Sequence, residues 1–301
     1  MCGIVGLFLK NAHLEPRLGE LTAGMLATMC ERGPDSAGFA VYGTPAAEGR
    51  TKITLQSPRP ESDFEGLGLV LARHFGQSVN VTYRATHAVV DVDADAADDV
   101  RSFLAAERPS IRVMGQGAAI EIYKEVGWPK DVADRFGLAR MTGTHAIGHT
   151  RMATESAVTT TGAHPFSTGP DQCLVHNGSL SNHHNLRRAL AHDGMTFATD
   201  NDSEVAAGYL TWRMNQGLGL GQALEKSLQD LDGFYTFVVG TRDGFGVLRD
   251  PIACKPAVLA ETDDYVAFGS EYRALAGLPG IESARVWEPE PATVYFWERG
   301  R

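Results

Sequence analysis

The sequence predicts an α+β protein built from layers of helix and sheet. Apolar runs typical of strands lie near both ends of the 301-residue chain, and helical patterns lie between them. This order differs from the regular alternation of strand and helix that builds a parallel doubly wound sheet. A change of character between residues 57 and 140 indicates a small inserted αβ unit within the main domain.

The first elements follow from hydrophobic spacing and turn residues. Branched and small apolar residues indicate a buried strand at the start, apolar positions at helical spacing follow it, and a glycine-rich and proline-containing loop comes next. These elements are the strand Cys2–Leu9, the helix Leu18–Met29, the loop Arg32–Gly38 and the strand Phe39–Tyr42.

The inserted unit is predicted to contain a β-rich run, a helix and a further strand, over Val79–Val92, Ala94–Ala106 and Ile111–Met114. Its acidic residues Asp95 and Asp98 suit the first turn of a solvated helix better than a metal site, because carboxylates are favoured at helix N-termini.

The remainder of the chain is predicted to carry two strands, three helices and four further strands. The two strands are Ala146–Thr150 and Gln172–His176. The helices are Leu186–Ala191, Glu204–Met214 and Gly221–Leu231, and the last strands are Phe234–Gly240, Gly244–Leu248, Pro256–Ala260 and Tyr265–Gly269.

Composition excludes several classes of function. The chain is 43% hydrophobic and 21% charged, which is ordinary for a globular protein. A net charge of −10 offers no basic face to a phosphate backbone, so we expect no nucleic-acid partner. The sequence shows neither a signal peptide nor an apolar run long enough for a membrane span, and we expect a cytoplasmic protein.

Cys2 is the residue with the clearest chemical potential. Removal of Met1 would leave a thiol and a free α-amine on one residue, and the amine has a pKa of roughly 7.7–8.0 that suits a general base. The residue is then a candidate nucleophile for acyl transfer through a thioester. The alternative is a small buried side chain in a first strand, as we expect for Cys30, Cys173 and Cys254.

Three further segments carry polar groups at element ends. His176-Asn177-Gly178 follows a strand and is either an oxyanion-hole pattern or simply a turn. Arg151 ends a strand, where it either clamps a carboxylate or forms a surface ion pair. Asp202 opens a helix, and either Asp202 or Ser203 could be its N-cap. The alternative role for Asp202 is to bind a substrate ammonium group.

Taken together, these segments resemble the class II glutamine amidotransferases. The resemblance rests on six segments in the family's order: Met1-Cys2-Gly3-Ile4-Val5-Gly6, Arg32-Gly33-Pro34-Asp35-Ser36-Ala37-Gly38, Gly148-His149-Thr150-Arg151-Met152-Ala153-Thr154, His164-Pro165-Phe166, His176-Asn177-Gly178 and Asp202-Ser203-Glu204. It implies a four-layer αββα N-terminal-nucleophile hydrolase fold over residues 2–301, interrupted by the unit at 57–140.

The resemblance also implies a role for each matching residue. Cys2 would be the nucleophile, with Asn177 and Gly178 as the oxyanion hole. Substrate-binding roles fall to four residues: Arg151 for the α-carboxylate of glutamine, Asp202 for its α-amine, Thr154 in the pocket wall, and Arg32 in a loop that closes over the substrate.

The resemblance implies that the chain hydrolyses L-glutamine to glutamate and ammonia through a Cys2 thioester, and relatives in this family use the ammonia in a second catalytic domain. The chain most resembles the small amidotransferase component of N-methylglutamate synthase, a glutamate-synthase-like assembly of methylamine metabolism. The resemblance lies in the length, in the single insertion and in the residue sequence of Gly148–Ser156. This implies separate synthase subunits that carry FMN and an iron–sulfur cluster, with no cofactor in this chain. We hypothesise that the inserted unit docks those subunits.

Other readings of the same residues are an N-terminal-nucleophile acylase, a non-catalytic pseudo-glutaminase, and a glutaminase that serves another ammonia-using synthase. An acylase would not need the Arg151 and Asp202 pair that suits an α-amino acid.

Overall fold

The computed structural model describes residues 2–153 and 157–300. Within them, fifteen strands form three antiparallel sheets. The strands are β1 (Gly3–Leu9), β2 (Ser36–Tyr42), β3 (Arg50–Gln56), β4 (Asn80–Arg84), β5 (His87–Asp93), β6 (Arg112–Gly117), β7 (Ile120–Val126), β8 (His145–Arg151), β9 (Cys173–Leu180), β10 (Gly233–Gly240), β11 (Gly244–Arg249), β12 (Val258–Glu261), β13 (Tyr265–Gly269), β14 (Arg285–Trp287) and β15 (Thr293–Glu298).

Eight α-helices connect these strands within the described residues. They are α1 (Leu18–Thr28), α2 (Pro60–Asp63), α3 (Leu67–Phe75), α4 (Ala97–Glu107), α5 (Pro129–Phe136), α6 (His183–His192), α7 (Asp202–Asn215) and α8 (Leu220–Asp230). No helix in the described part of the chain is long and apolar enough to cross a membrane.

Two sheets and two helical layers make the main body, as the αββα expectation requires. The first sheet has the order β14-β12-β13-β1-β8-β2-β7, and the second has the order β15-β11-β10-β9. Buried side chains of both sheets meet in one cluster that includes Phe8, Ile147, Val238 and Phe245. Alternate residues of each strand face outward onto α1 and α5 on one side and onto α6, α7 and α8 on the other.

The inserted αβ unit is a separate four-stranded sheet of order β4-β5-β3-β6 with its own apolar core. The expected bounds of 57–140 differ from this arrangement at both ends. β3 belongs to the inserted sheet, so the unit begins at Arg50. β7 instead pairs with β2 of the main sheet, and α5 packs against the main core, so the unit ends at Gly117.

Several element predictions are refined by the backbone. The run Val79–Val92 is a hairpin, because the chain turns between β4 and β5 at Ala85, whose φ is 49°. β2 begins at Ser36, inside the predicted loop, since its pairing with β8 starts opposite Arg151. Asn201, rather than Asp202 or Ser203, is the N-cap of α7 and accepts a hydrogen bond from the Ser203 amide.

Candidate active site

Cys2 directly precedes β1, at the end of the sheet where β8 finishes. The register pairs Gly3 with Thr150, so Cys2 lies beside Arg151 and Met152. Its Sγ is 3.8 Å from the Met152 carbonyl oxygen, and the side chain is partly exposed. Cys30 and Cys173 are buried as expected, but the expectation is wrong for Cys254, which is exposed because it lies in the loop between β11 and β12. A Cβ at Gly3 would come within 2.7 Å of Thr150 Oγ1, so glycine here allows β1 to lie this close to its neighbour.

Asn177 reaches the same point from the second sheet. Its side-chain amide donates to the Cys2 carbonyl oxygen at 3.3 Å, although the two residues are 175 positions apart. The next residue, Gly178, has a φ of +145°, and a Cβ there would lie 1.9 Å from the Phe234 carbonyl oxygen. Only glycine is compatible with that conformation and spacing.

Arg151 is the last residue of β8 and is only 6% exposed. Its Nη1 donates to the Ala157 carbonyl oxygen at 3.3 Å. The strand therefore carries a buried arginine whose backbone lies beside Cys2, which differs from a solvated surface ion pair. The predicted pocket residue Thr154 lies outside the described residues.

Asp202 is anchored at the start of α7. Its Oδ2 accepts from the Leu180 amide at 2.9 Å, and its Oδ1 is 3.9 Å from His176 Nδ1. His176 directly precedes Asn177 in β9, so these contacts bring the carboxylate to the strand that carries the candidate oxyanion hole.

Arg32 ends a short 3-10 turn after α1 and also points to the nucleophile. Its Nε donates to the Cys2 carbonyl oxygen at 3.0 Å, and its Nη1 pairs with the Glu271 carboxylate. The structure thus joins Arg32 and Asn177 to Cys2 by hydrogen bonds and places the Arg151 backbone beside it. Asp202 contacts Leu180 and His176 rather than Cys2. The role of Arg32 toward a bound substrate stays a prediction.

Comparison with known proteins identifies the family. A family model described as a glutamine amidotransferase domain matches residues 149–277. The chain is 66% identical over 298 residues to the glutamine amidotransferase-like protein GlxB of Rhizobium meliloti, covering 99% of this chain and 98% of the relative. The chain belongs to the class II glutamine amidotransferases.

Further relatives of this amidotransferase agree on family and fold. A Methanothermobacter thermautotrophicus protein, provisionally named a glutamine amidotransferase, is 32% identical over 319 residues, covering 99% of this chain and all of the relative. The glutamine phosphoribosylpyrophosphate amidotransferase structure from B. subtilis superposes with a TM-score of 0.63 at 19% identity. The amidotransferase chain covers 47% of that longer protein, and at this identity the likeness shows the fold alone.

A buried histidine cluster lies behind the site of the amidotransferase. Ser203 Oγ is 2.9 Å from both His164 Nε2 and His176 Nδ1, and the rings of His149 and His164 stack at 4.0 Å. Burial lowers the pKa of His149 to about 3 and lowers the pKa of His164 and of His176 as well. These imidazoles are therefore neutral at pH 7 and act as polar packing behind Asn177.

Two residues near the C-terminus of the amidotransferase were not singled out in the sequence analysis. Ser270 accepts the Ile4 amide at 2.9 Å through its Oγ, and its own amide donates to the Ile4 carbonyl oxygen at 2.9 Å. Glu271 holds Arg32. Their position directly after a strand was the available signal, but nothing local links them to residues more than 230 positions away.

Among residues 2–153 and 157–300, no group of three or more His, Cys, Asp or Glu side chains is arranged to hold a metal ion.

Proposed function

We propose that this chain hydrolyses L-glutamine to glutamate and ammonia with Cys2 as the nucleophile. One observation carries the proposal. The chain belongs to the class II glutamine amidotransferases and has a cysteine at position 2. The carbonyl oxygen of Cys2 accepts hydrogen bonds from the Asn177 side-chain amide and from the Arg32 guanidinium. These contacts support Cys2 as the residue that carries the reaction.

The proposed reaction has two steps. After removal of Met1, the α-amine of Cys2 accepts the thiol proton as Sγ attacks the side-chain carbonyl carbon of glutamine. The tetrahedral intermediate collapses when the carbon–nitrogen bond breaks and the amine returns the proton, which releases ammonia and leaves a thioester. Water then attacks the thioester, releasing glutamate and restoring the thiol.

Asn177 and Gly178 supply the donors for the developing oxyanion in this proposal, through a side-chain amide and a backbone amide. Such donors stabilise negative charge best where water is excluded, and Asn177 is only 4% exposed. In the present structure the Asn177 amide contacts Cys2 itself, so glutamine binding would have to redirect it.

In this proposal, recognition of the amino-acid end of glutamine falls to two side chains of opposite charge. The Arg151 guanidinium would pair with the α-carboxylate, and the Asp202 carboxylate would pair with the α-ammonium group. Arg32 and Thr154 would complete the pocket. An acylase that takes simple amides has no need for both charges, which favours an α-amino acid as substrate.

We further propose that the ammonia passes to a separate synthase. In this proposal the chain is the amidotransferase component of N-methylglutamate synthase, and the partner subunits carry FMN and an iron–sulfur cluster. The assignment to N-methylglutamate synthase is supported by the similarity in chain length and in the residue sequence of Gly148–Ser156.

Ammonia and glutamate release from glutamine tests the hydrolysis. The chain is assayed with Met1 removal verified by mass spectrometry, alone and with the purified flavin and iron–sulfur subunits, and Cys2→Ala is the control. Hydrolysis that disappears in Cys2→Ala supports the nucleophile, and methylamine-dependent product with the partners supports the synthase assignment. Hydrolysis without any partner effect favours a different acceptor, and no hydrolysis in any mixture favours the pseudo-glutaminase.

Removal of the inserted unit tests its docking role. If the synthase subunits still assemble with a chain in which residues 50–117 are replaced by a short linker, the docking hypothesis fails.

A further inference from the structure

A network of ion pairs leads away from Cys2 through the segment that follows β13. Arg32 Nη1 contacts Glu271 Oε1, and Arg273 Nε lies 2.6 Å from Glu271 Oε2. Arg273 in turn lies 3.5 Å from the exposed Glu31. Both oxygens of Glu271 are therefore engaged by cations, and the hydrogen bond from Arg32 holds the pKa of this carboxyl below its usual range.

The end of this ion-pair network at Arg32 restrains the proposed nucleophile. The Cys2 carbonyl oxygen accepts Arg32 Nε at 3.0 Å and Asn177 Nδ2 at 3.3 Å, from two different elements. Cys2 lies just before β1, where the sheet hydrogen bonds that hold Gly3 onward do not restrain it. The two side-chain donors thus replace the missing ladder contacts.

Arg32 needs a partner to stay in this position. An arginine side chain loses rotamer entropy when it is fixed, and this side chain is only 9% exposed, so its charge has little access to water. Glu271 compensates for both, because it selects one rotamer and neutralises the charge. The neighbouring Ser270 clamps Ile4 through two hydrogen bonds, so the same segment holds both the first strand and Arg32.

We propose that Glu271 is a positioning residue for Cys2 that acts through Arg32. The proposal rests on the glutaminase function proposed above. Glu271 does not touch the nucleophile. It fixes the Arg32 guanidinium, which fixes the Cys2 carbonyl and with it the direction of the thiol. Loss of the carboxylate therefore reduces the fraction of molecules in which Sγ is aimed at the substrate carbon.

The test uses Glu271→Gln and Glu271→Ala, with Glu31→Gln as the matched control. Glu31→Gln removes one carboxylate charge from the far end of the same ion-pair network, where Glu31 pairs with Arg273, and leaves the Arg32–Glu271 pair in place. We expect kcat for glutamine hydrolysis to fall about tenfold in Glu271→Gln and further in Glu271→Ala, with KM changed less than about threefold. Glu31→Gln should retain both constants within about twofold.

A second readout does not depend on glutaminase activity. Iodoacetamide alkylation is followed at Cys2 and at the exposed Cys254 of the same sample by peptide mass spectrometry. We expect the ratio of the two rates to change about threefold or more in both Glu271 variants and to stay constant in Glu31→Gln.

Unchanged kcat and an unchanged alkylation ratio in Glu271→Gln would overturn the proposal, as would an equal effect of Glu31→Gln. If Glu271→Ala does not fold, Glu271→Gln decides alone. If the wild-type chain shows no glutaminase activity, the proposed function fails, and the alkylation ratio still decides whether Glu271 positions Cys2.

Discussion

The catalytic edge and the inserted unit of this protein are held together in opposite ways. We define the catalytic edge as the residues to which the proposed mechanism gives a role, and the inserted unit as residues 50–117. The residues of the edge are Cys2, Arg32, Arg151, Asn177 and Asp202. Contacts at the edge join residues far apart in the chain, such as Cys2 and Asn177, which are 175 positions apart. The inserted sheet pairs only strands that lie between Arg50 and Gly117.

This difference separates chemistry from local stability. The edge depends on both main sheets being in place, because β1, β8 and β9 each deliver one part of it. The inserted unit has its own apolar core, which includes Leu55, Leu71 and Val90. Damage to the unit should therefore reduce stability more than activity, whereas small changes at the edge should reduce activity more than stability.

The largest expected effect is at the nucleophile. Cys2→Ala should lower glutamine hydrolysis about a thousandfold or more, because no other group in the proposed mechanism forms the thioester. The melting temperature should change by no more than a few degrees, since the side chain is partly exposed. Residual hydrolysis within tenfold of wild type would assign the reaction to another residue.

Asn177→Ala should have the next largest effect. Loss of an oxyanion-hole donor typically lowers kcat about 10²- to 10³-fold. The matched control is Asn182→Ala, which removes the same side chain from the start of α6, where it bonds to the Asp230 carbonyl oxygen. We expect kcat of the control to stay within about twofold of wild type. Equal kcat values for the two variants would remove Asn177 from the mechanism.

A matched pair of core truncations compares the two regions directly. Leu26 in α1 and Leu71 in α3 are both 0% exposed. Truncation of either residue to alanine should lower the unfolding free energy of the protein by about 2 to 5 kcal/mol. Leu26 packs closely against Gly148 in β8, since a Cβ at Gly148 would come within 3.1 Å of Leu26 Cδ1. Because β8 ends at Arg151, Leu26→Ala should also lower kcat.

Leu71→Ala should instead keep kcat close to wild type at temperatures below its melting transition. Denaturant unfolding gives the free energies, and the glutaminase assay gives kcat. A loss of kcat in Leu71→Ala as large as that in Leu26→Ala would show that the inserted unit is coupled to the catalytic edge.

The smallest expected effect concerns pH and the seam between the regions. Burial lowers the pKa of His87 to about 3 from 6.5, and its ring packs on Phe136 of the main body. The folded state keeps this histidine neutral, so the stabilisation is complete above pH 6.5 and decreases as pH falls from 6.5 toward 3.

From about pH 6.5 to about pH 5 this histidine should remove about 2 kcal/mol from the unfolding free energy. His87→Leu should flatten the pH dependence by that amount, as measured by urea unfolding at several pH values. Parallel curves for the variant and the wild type would show that His87 titrates alike in the folded and unfolded chain.

Sequence reasoning was most successful where local pattern and final contact coincide. The helix Leu18–Met29 is observed as Leu18–Thr28, and the strand Tyr265–Gly269 has the predicted bounds, since spacing of apolar residues decides both. It was less successful for β7 and α5, which were assigned to the inserted unit. Their apolar residues would suit either core, and only pairing with β2 assigns them to the main body.

The sequence by itself determined the family, the layered α+β class and the candidate residues Cys2, Arg151, Asn177 and Asp202, because each lies in a short motif with its own chemistry. Only the tertiary structure decided what holds them. The Ile4 amide is bound by Ser270, 266 positions away, and Arg32 is held by Glu271. Local spacing carries no information about such contacts, since they form only when strands from distant parts of the chain pair, as β1 and β13 do.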